Sequence, residues 1–338
     1  MNNESPVTAE IGFGNTKTVK KNTLTGLYEY SVMPSTVVEY DETCHLLSSN
    51  KMRDEFIVTV KDKRYIVGKD AYLSGGTYQN RILTTNFINT DEYYALFLAS
   101  LCQINESNIP FLAAGLPARL YTNQNIKQLK KIMTGTHNLP GDRKVTIHKV
   151  MVLAQPIAAL IDYGLSNDNY SAIRAKTNLI IDFGYLTTDW TISEGIQPMN
   201  KRTGSIAEGG VNSLVDQIIK IIRIQENIEY TARHKLERDM LSGHISINGE
   251  RRPLDDYLLT ATDVINPALN AMVNNVGELY DVDTIILSGG GSRYFKKAVR
   301  EKFPDHEIII QKDAHLSIAR GLQIAAEQVL AHKIGGAA

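Results

Sequence analysis

The chain has 338 residues, 22% charged and 43% hydrophobic, and its 36 basic and 37 acidic residues leave a formal net charge of -1. This length predicts about two domains and suffices to bury a large core without metal or disulfide staples. The composition excludes wholesale disorder, collagen and coiled coil, and the balanced charge excludes a surface that binds nucleic acid over its whole extent.

Cysteine content and hydropathy predict the compartment. Cys44 and Cys102 are too few for a disulfide framework or a cysteine zinc site, so we expect a reducing environment. The N-terminal segment Met1–Pro6 has neither a basic nor an apolar region, so no signal peptide is predicted. No uninterrupted apolar run approaches the roughly 18 residues of a membrane helix, and we expect a cytoplasmic protein without membrane attachment.

The first half of the chain mixes short apolar strands with a few helices. A Gly-rich turn at residues 12–15 joins two strand-like segments and predicts a β-hairpin. The segment Thr77–Thr85 is assigned to no type. The predicted strands are Val7–Glu10, Thr16–Lys20, Phe56–Val60, Arg64–Val67, Ile109–Ala114 and Lys144–Val152, and the predicted helices are Thr90–Gln103, Asn123–Met133 and Pro156–Tyr163.

The second half begins after a polar segment, Asn167–Lys176, which we interpret as a linker. Pro267 predicts a kink or break inside a long helical segment, and Asn248-Gly249 predicts a hairpin turn. The predicted strands are Asn178–Ile181, Thr284–Leu287 and Ile308–Ile310, and the predicted helices are Gly209–Ile224, Tyr230–Leu241, Asp255–Leu279 and Leu316–Leu330. The alternation of strands and helices indicates the α/β class.

One short pattern occurs twice, once in each half. Glu10 and Asp182 each end an apolar strand. In both cases glycine follows two residues after the acid, an aromatic residue three residues after it, and threonine six residues after it. Glycine there lets backbone N–H groups approach phosphate oxygens, and the two carboxylates suit Mg²⁺ held through water. The alternative is that the two segments are ordinary β-turns, in which glycine and threonine are also common. Because the same residue types recur at the same spacing in both halves of the chain, we favour two hairpins that close on a nucleoside triphosphate.

Other residue types in these segments fit the same chemistry. Lys17 offers a positive charge to the β- and γ-phosphates, and hydroxyls of Thr16, Thr187 and Thr188 can donate further hydrogen bonds. The run Ser288–Ser292 contains three consecutive glycines, on which a flat group could lie directly. It is not a dinucleotide fingerprint, because a tyrosine stands where the last glycine belongs, and no Walker P-loop is present.

Taken in chain order, these segments resemble the actin-like ATPases, the superfamily of actin, the seventy-kilodalton heat-shock chaperones and sugar kinases. The matching segments are Glu10–Lys17, Gln155–Gly164, Asp182–Asp189, Ser288–Ser292 and Ala314–Gly321. The first loop, with the segments 65–71 and 114–117, looks like the plasmid-segregation actins of the ParM/StbA family. The resemblance implies an α/β, actin-like (ribonuclease H-like) duplicated two-domain fold with a nucleotide cleft between the domains.

The resemblance also implies domain boundaries. Domain I would span residues 1–170, with a small inserted subdomain at about 30–85, and domain II would span 171–314. A C-terminal helix at 315–332 would return to domain I.

The resemblance further implies roles for single residues. Gln155 matches the group that positions the attacking water, Asp182 the acid that serves the metal and that water, and Glu10 the other metal acid. The family usually has Asp where this chain has Glu10, so the extra methylene shifts the carboxylate. The charged helix with Arg233, Lys235 and Glu237 resembles the segment beside the purine. The implied nucleotide contacts are Gly12, Gly14, Asn15, Thr16, Lys17, Gly184, Tyr185, Leu186, Thr187, Thr188, Gly209, Gly210, Lys235, Gly289, Gly290, Gly291 and Ser292.

The implied function is that of a filament protein which binds ATP, or GTP, with Mg²⁺, polymerises in a closed form and weakens its filament by hydrolysis. The implied partners are further copies of the chain and an adaptor protein on a centromere-like plasmid DNA site in the bacterial cytoplasm, with no direct nucleic-acid binding and no membrane. Two alternatives on the same fold stay open. One is a small-molecule kinase, with Asp189 as the nominated base, and the other is a nucleotide-switched binding protein without filaments.

Overall fold

The computed structural model describes residues 5–42, 53–75, 81–84, 86–166, 170–207 and 209–335. Of the unassigned segment 77–85, residues 81–84 are described and form neither helix nor strand, and the rest lie outside the described ranges. Residues 167–169 of the predicted linker also lie outside them, whereas residues 170–174 form a short helix.

The strands are numbered in chain order. They are β1 Val7–Ile11, β2 Asn15–Lys21, β3 Tyr28–Pro34, β4 Val37–Glu39, β5 Glu55–Val60, β6 Lys63–Gly68, β7 Asn108–Ile109, β8 Leu112–Leu116, β9 Gly135–Leu139, β10 Arg143–Ile147, β11 Val150–Ala154, β12 Thr177–Phe183, β13 Thr188–Glu194, β14 Gln197–Ile206, β15 His244–Ile247, β16 Glu250–Pro253, β17 Thr284–Ser288 and β18 Glu307–Ile310.

The α-helices are numbered in the same way. They are α1 Asp91–Ile104, α2 Asn123–Met133, α3 Gln155–Ser166, α4 Tyr170–Arg174, α5 Val211–Glu226, α6 Arg233–Leu241, α7 Asp255–Ala261, α8 Asn266–Val276, α9 Ser292–Lys302 and α10 Ser317–Gly335. Short 3₁₀ helices cover Ala71–Leu73, Phe87–Asn89, Ala118–Leu120, Thr262–Ile265 and Ala314–Leu316. None of the helices in the described ranges is long and apolar enough to cross a bilayer.

Two five-stranded sheets share one topology. The first has the order β11-β8-β1-β2-β3, and the second has the order β18-β17-β12-β13-β14 when it is read in the same direction. In both sheets the central strand pairs antiparallel with the next strand in the chain and parallel with its other neighbour. This repeated topology confirms the duplicated two-domain α/β fold predicted from the sequence. We call the parts of the chain around these sheets the first and second domains.

Each domain has its own apolar core, and a third core joins the two. In the third core, α3 and α10 lie between the sheets: Ala158 and Leu322 from the helices pack with Ala113 of β8 and with Ile180 and Ile286 of the second sheet. α10 also packs on the first domain.

At one point α3 and α10 approach very closely. A Cβ added to Gly321 would lie 1.8 Å from the carbonyl oxygen of Ala158, so only glycine permits the observed crossing.

The structure corrects several predicted elements. The segment Lys144–Val152 is two strands in different sheets, because the exposed pair His148-Lys149 forms the break between β10 and β11. The segment Ile109–Ala114 is interrupted at Pro110, which lacks a backbone donor.

Other predictions at turns and breaks are confirmed. The break at Pro267 is present, since that proline lies in the first turn of α8. Asn248 and Gly249, with φ of 49° and 87°, form the turn between β15 and β16. Strands β3, β4, β9 and β14 and helix α9 are not predicted from the sequence.

Candidate functional site

A cavity of about 400 Å³ lies between the two domains. The turns of both repeated hairpins, residues 12–15 and 184–187, reach its wall. The other sides of the cavity include the glycines after β17, the start of α3 and the inner face of α6. The carboxyl ends of the central strands of both sheets therefore meet at one site.

Glu10 is the centre of a buried polar group in the first domain. Lys17 stands opposite Glu10 in the β1–β2 register, and its Nζ lies 2.5 Å from Glu10 Oε2. Gln155, the first residue of α3, donates from Nε2 to Glu10 Oε1 at 3.1 Å. Glu10 itself is only 1% exposed. The hairpin register and the start of α3 thus bring a cation, a carboxylate and an amide to the cavity.

Asp182 occupies the equivalent position in the second domain. Its parallel neighbour in β17, Ser288, donates a hydrogen bond from Oγ to Asp182 Oδ1 at 3.2 Å. A Cβ added to Gly289 would lie 2.3 Å from the same oxygen, so a side chain there would displace the carboxylate. Burial raises the pKa of Asp182, and the neighbouring carboxylates of Asp189 and Glu10 raise it further. The ammonium group of Lys17 opposes this effect, and the resulting pKa is about 7 instead of the usual 3.8.

This raised pKa predicts how stability changes with pH in nucleotide-free, metal-free protein. Between about pH 4 and pH 7, Asp182 is protonated in the folded state and ionised in the unfolded chain, so the free energy of unfolding falls as pH rises through that window. Asp182→Asn is expected to flatten this slope. Urea unfolding at several pH values in EDTA measures it, and parallel curves for wild type and Asp182→Asn would contradict the expectation.

The two carboxylates fit a hydrated magnesium ion. Mg²⁺ in nucleotide sites is usually held by one or two carboxylates together with phosphate oxygens and water. Glu10 and Asp182 face the same cavity, and Glu10 lies close enough to influence the ionisation of Asp182. They would hold Mg²⁺ with the triphosphate.

The tips of the two hairpins touch. A Cβ added to Gly14 would lie 2.5 Å from the Cβ of Tyr185, so any larger residue at position 14 would push the tips apart. A Cβ added to Gly210 would lie 2.5 Å from the carbonyl oxygen of Tyr185, so the second tip also rests on the start of α5. Glycine at these positions keeps the two turns close enough to enclose a phosphate chain from both sides.

Most of the predicted site residues reach the cavity wall. Those that do are Glu10, Gly12, Gly14, Asn15, Lys17, Gln155, Asp182, Gly184, Tyr185, Thr187, Lys235, Gly289 and Gly290. The remaining predicted residues, all of them described, do not line the cavity: Thr16, Leu186, Thr188, Gly209, Gly210, Gly291 and Ser292.

The hydroxyls of several predicted site residues are used inside the protein. Thr16 Oγ1 lies 3.1 Å from Ser35 Oγ, and the Thr188 hydroxyl donates to the carbonyl of Gly209 at 3.0 Å. Ser292 donates to the carbonyl of Ser288. These hydroxyls stabilise the hairpins and the glycine turn, rather than pointing into the cavity.

Lys235 lines the cavity, but its ammonium group is held by its own domain. Nζ lies 2.7 Å from Asp239 Oδ2, one turn along α6, and 3.0 Å from the carbonyl oxygen of Ser246. Two of its three N–H donors are used in this way, and a direct contact between this ammonium and a nucleotide stays a prediction.

Part of the cavity wall is formed by residues that are not predicted from the sequence. The cavity also includes Tyr72 and Arg81 from the first domain, and Tyr294 and His315 from the second half of the chain. Arg81 and Tyr72 belong to no local pattern, so no sequence signal could have found them. Tyr294 is the tyrosine that interrupts the glycine motif after β17, and His315 lies inside the segment 314–321 that resembles the actin-like ATPases.

Comparison with known proteins agrees with this architecture. A family model described as the N-terminal domain of actin-like proteins matches residues 10–157, and a model described as the C-terminal domain of the archaeal actin homologue, MreB-like, matches residues 180–301. No curated protein matches the chain in sequence.

Three similar solved structures cover nearly the whole chain. Actin-like protein Alp7A has a TM-score of 0.76 at 15% identity and covers 98% of both chains. The archaeal actin homolog Ta0583 in complex with ADP has a TM-score of 0.75 at 18% identity, covering 96% of this chain and 99% of its own. A 15-stranded ParM filament from Clostridium botulinum has a TM-score of 0.72 at 16% identity, covering 96% and 99%. At these identities the shared property is the fold.

Proposed function

The chain belongs to the actin-like proteins, and from this premise we propose that it is an ATPase that forms nucleotide-dependent filaments and segregates plasmid DNA. The observation that carries the proposal is the meeting of two carboxylates, a lysine and a glutamine at one cavity between two domains of equal topology. Phosphoryl transfer needs mainly positioning and electrostatic stabilisation, and these groups can supply both.

Each side chain has a distinct part in the proposed reaction. Bound Mg²⁺ would neutralise charge on the β- and γ-phosphates. Lys17, which Glu10 holds at the cavity, presents its ammonium group to the phosphate oxygens. Gln155, held by the same carboxylate, orients the attacking water through its amide. Asp182 accepts a hydrogen bond from that water, and the two glycine turns present backbone N–H groups to the phosphates.

The assembly and partners of the chain are proposed from its neighbours. The ParM filament and the ADP complex, both of similar fold, support self-association and nucleotide binding. We propose ATP over GTP, and an adaptor protein that links the filament to a centromere-like plasmid site in the bacterial cytoplasm. The net charge of -1 supports engagement of DNA through an adaptor rather than directly.

The kinase alternative gains no support from Asp189. This residue is fully buried, and its carboxylate already accepts hydrogen bonds from the backbone N–H of Ala118 at 2.9 Å and from the Thr187 hydroxyl at 2.6 Å. A carboxylate that ties the second hairpin to the first domain is poorly placed to take a proton from an acceptor substrate.

Electron microscopy and light scattering with Mg²⁺ and ATP, GTP, ADP or a slowly hydrolysed ATP analogue test the proposal. We expect filaments with ATP and the analogue, and phosphate release without any added acceptor. Omission of Mg²⁺, with EDTA present, is the control. Phosphate release without filaments would favour the switched binding protein, and the absence of both would overturn the proposed function.

A further inference from the structure

One arginine contacts three elements of the cavity. Arg81 Nε donates to the carbonyl oxygen of Gly14 at 3.3 Å, at the tip of the first hairpin. Its Nη1 donates to the hydroxyl of Tyr185 at 3.1 Å and lies 2.7 Å from Glu237 Oε2 on α6. The guanidinium carbon also lies 4.5 Å from the centroid of the Tyr185 ring. Its side chain is only 6% exposed, so this contact is removed from solvent.

The partners of Arg81 in the second domain are fixed independently. The Tyr185 hydroxyl donates to Glu237 Oε1 at 2.5 Å, and Arg233 Nε lies 3.1 Å from the same oxygen. Arg233 is itself held by Asp216 at 2.5 Å and by Asn212 Oδ1 at 2.6 Å on α5. Glu237 is therefore a fixed acceptor of the second domain, and Arg81 is the group that reaches it from the first.

A second contact joins the same two regions. The ring of Tyr72, in the 3₁₀ helix after β6, lies 5.4 Å from the ring of His234. His234 and Glu237 are three residues apart on α6 and so share one face of that helix. The first domain thus contacts this face of α6 through an aromatic pair and through a buried ion pair.

We propose that Arg81 is a positioning residue, which holds both hairpin tips and α6 in the arrangement that nucleotide hydrolysis requires. This inference rests on the proposed function. A guanidinium group suits the task, because its planar fork can bind a carboxylate and a carbonyl at the same time, whereas an ammonium group is a single point charge. Because the tips touch at Gly14 and Tyr185, a shift of either one changes the spacing of the phosphate contacts.

Arg81→Met tests the proposal, because it keeps an unbranched stem and removes the guanidinium group. Arg81→Lys keeps the positive charge but lacks the planar guanidinium group. Arg202→Met is a matched control: Arg202 donates to the carbonyl of Val276 at 2.8 Å and to both oxygens of Asp281 at 2.5 and 3.0 Å, all within the second domain.

In steady-state phosphate release, Arg81→Met is expected to raise the KM for Mg-ATP about tenfold, the equivalent of about 1.4 kcal/mol, and to lower kcat. Arg81→Lys is expected to recover part of the KM, because the pair with Glu237 can reform. Arg202→Met is expected to lower the melting temperature and leave kcat and KM unchanged. If Arg81→Met likewise lowers the melting temperature but leaves kcat and KM unchanged, Arg81 has only a structural role and the inference is wrong.

A second measurement does not depend on hydrolysis. Spin labels at the exposed positions Lys63 on β6 and Lys220 on α5, in a cysteine-free background, report the distance between the domains without nucleotide. Arg81→Met is expected to lengthen or broaden this distance, and Arg202→Met to leave it unchanged. An unaltered distance in Arg81→Met would overturn the inference. A wild type that releases no phosphate, with the distance change present, would instead contradict the proposed function alone.

Discussion

Asp182→Ala is expected to abolish hydrolysis of Mg-ATP, with kcat falling on the order of 10³-fold or more. Asp182 ends the central strand of the second sheet, and its buried carboxylate faces the cavity beside Lys17 and Glu10. Alanine removes the acid proposed to serve the metal and the attacking water, and no other carboxylate of the second domain is proposed for that role. Phosphate release at saturating Mg-ATP measures the effect.

Two further variants separate chemistry from folding. Asp182→Asn keeps the shape of the side chain and is expected to be equally inactive while it remains folded. Asp142→Asn makes the same change in an exposed turn, where a positive φ of 57° also suits asparagine, and is expected to match the wild type. Phosphate release from Asp182→Ala at the wild-type rate would remove the basis of the site assignment.

Gly321→Ala is expected to lower the free energy of unfolding by about 3 kcal/mol. In an ordinary helix this change would stabilise the protein, because alanine has the higher helix propensity. Here the added Cβ would lie 1.8 Å from the carbonyl oxygen of Ala158 and 2.5 Å from its carbonyl carbon. Backbone atoms cannot rotate away as a side chain can, so α3 and α10 must separate, and both sheets pack on that pair of helices.

Gly164→Ala in α3 is the comparison for this effect. Its added Cβ would meet the terminal Cδ1 of Ile173 at 2.8 Å, an atom that can move by a small side-chain rotation. Urea unfolding of both variants, without nucleotide, is expected to show a much smaller loss for Gly164→Ala. Equal stability of Gly321→Ala and wild type would mean that the helices do not cross as closely as described.

The Glu10–Lys17 pair and the second hairpin depend on residues that are close together in the chain. The pair of Glu10 and Lys17 follows from the register of a hairpin with a short turn, because residues seven apart then stand opposite each other. The repeated pattern at Asp182 predicted an equivalent hairpin in the second half, and the shared topology of the sheets confirms it. Gln155 lies 145 residues from Glu10 in the chain, and it reaches that carboxylate from the start of α3, directly after β11.

Two of the predicted nucleotide contacts involve side chains that already have partners within the protein. Lys235 is predicted to contact the nucleotide, and in the structure its ammonium group binds Asp239, one helical turn away, and the carbonyl oxygen of Ser246. The Thr188 hydroxyl is predicted to donate to phosphate, and in the structure it donates to the carbonyl of Gly209. Residue type shows what a group can bind, whereas packing decides which available partner it meets.

The sequence alone determined the α/β class, the duplication, and the positions of the acids, glycines and lysine that line the cavity, because strand ends and tight turns depend on residues close together in the chain. Only the tertiary structure brought Asp182 next to Ser288, 106 residues apart, and Arg81 next to Glu237, 156 residues apart. Such contacts arise when sheets and helices pack to bury their apolar faces, and no local pattern of residues records where that packing places them.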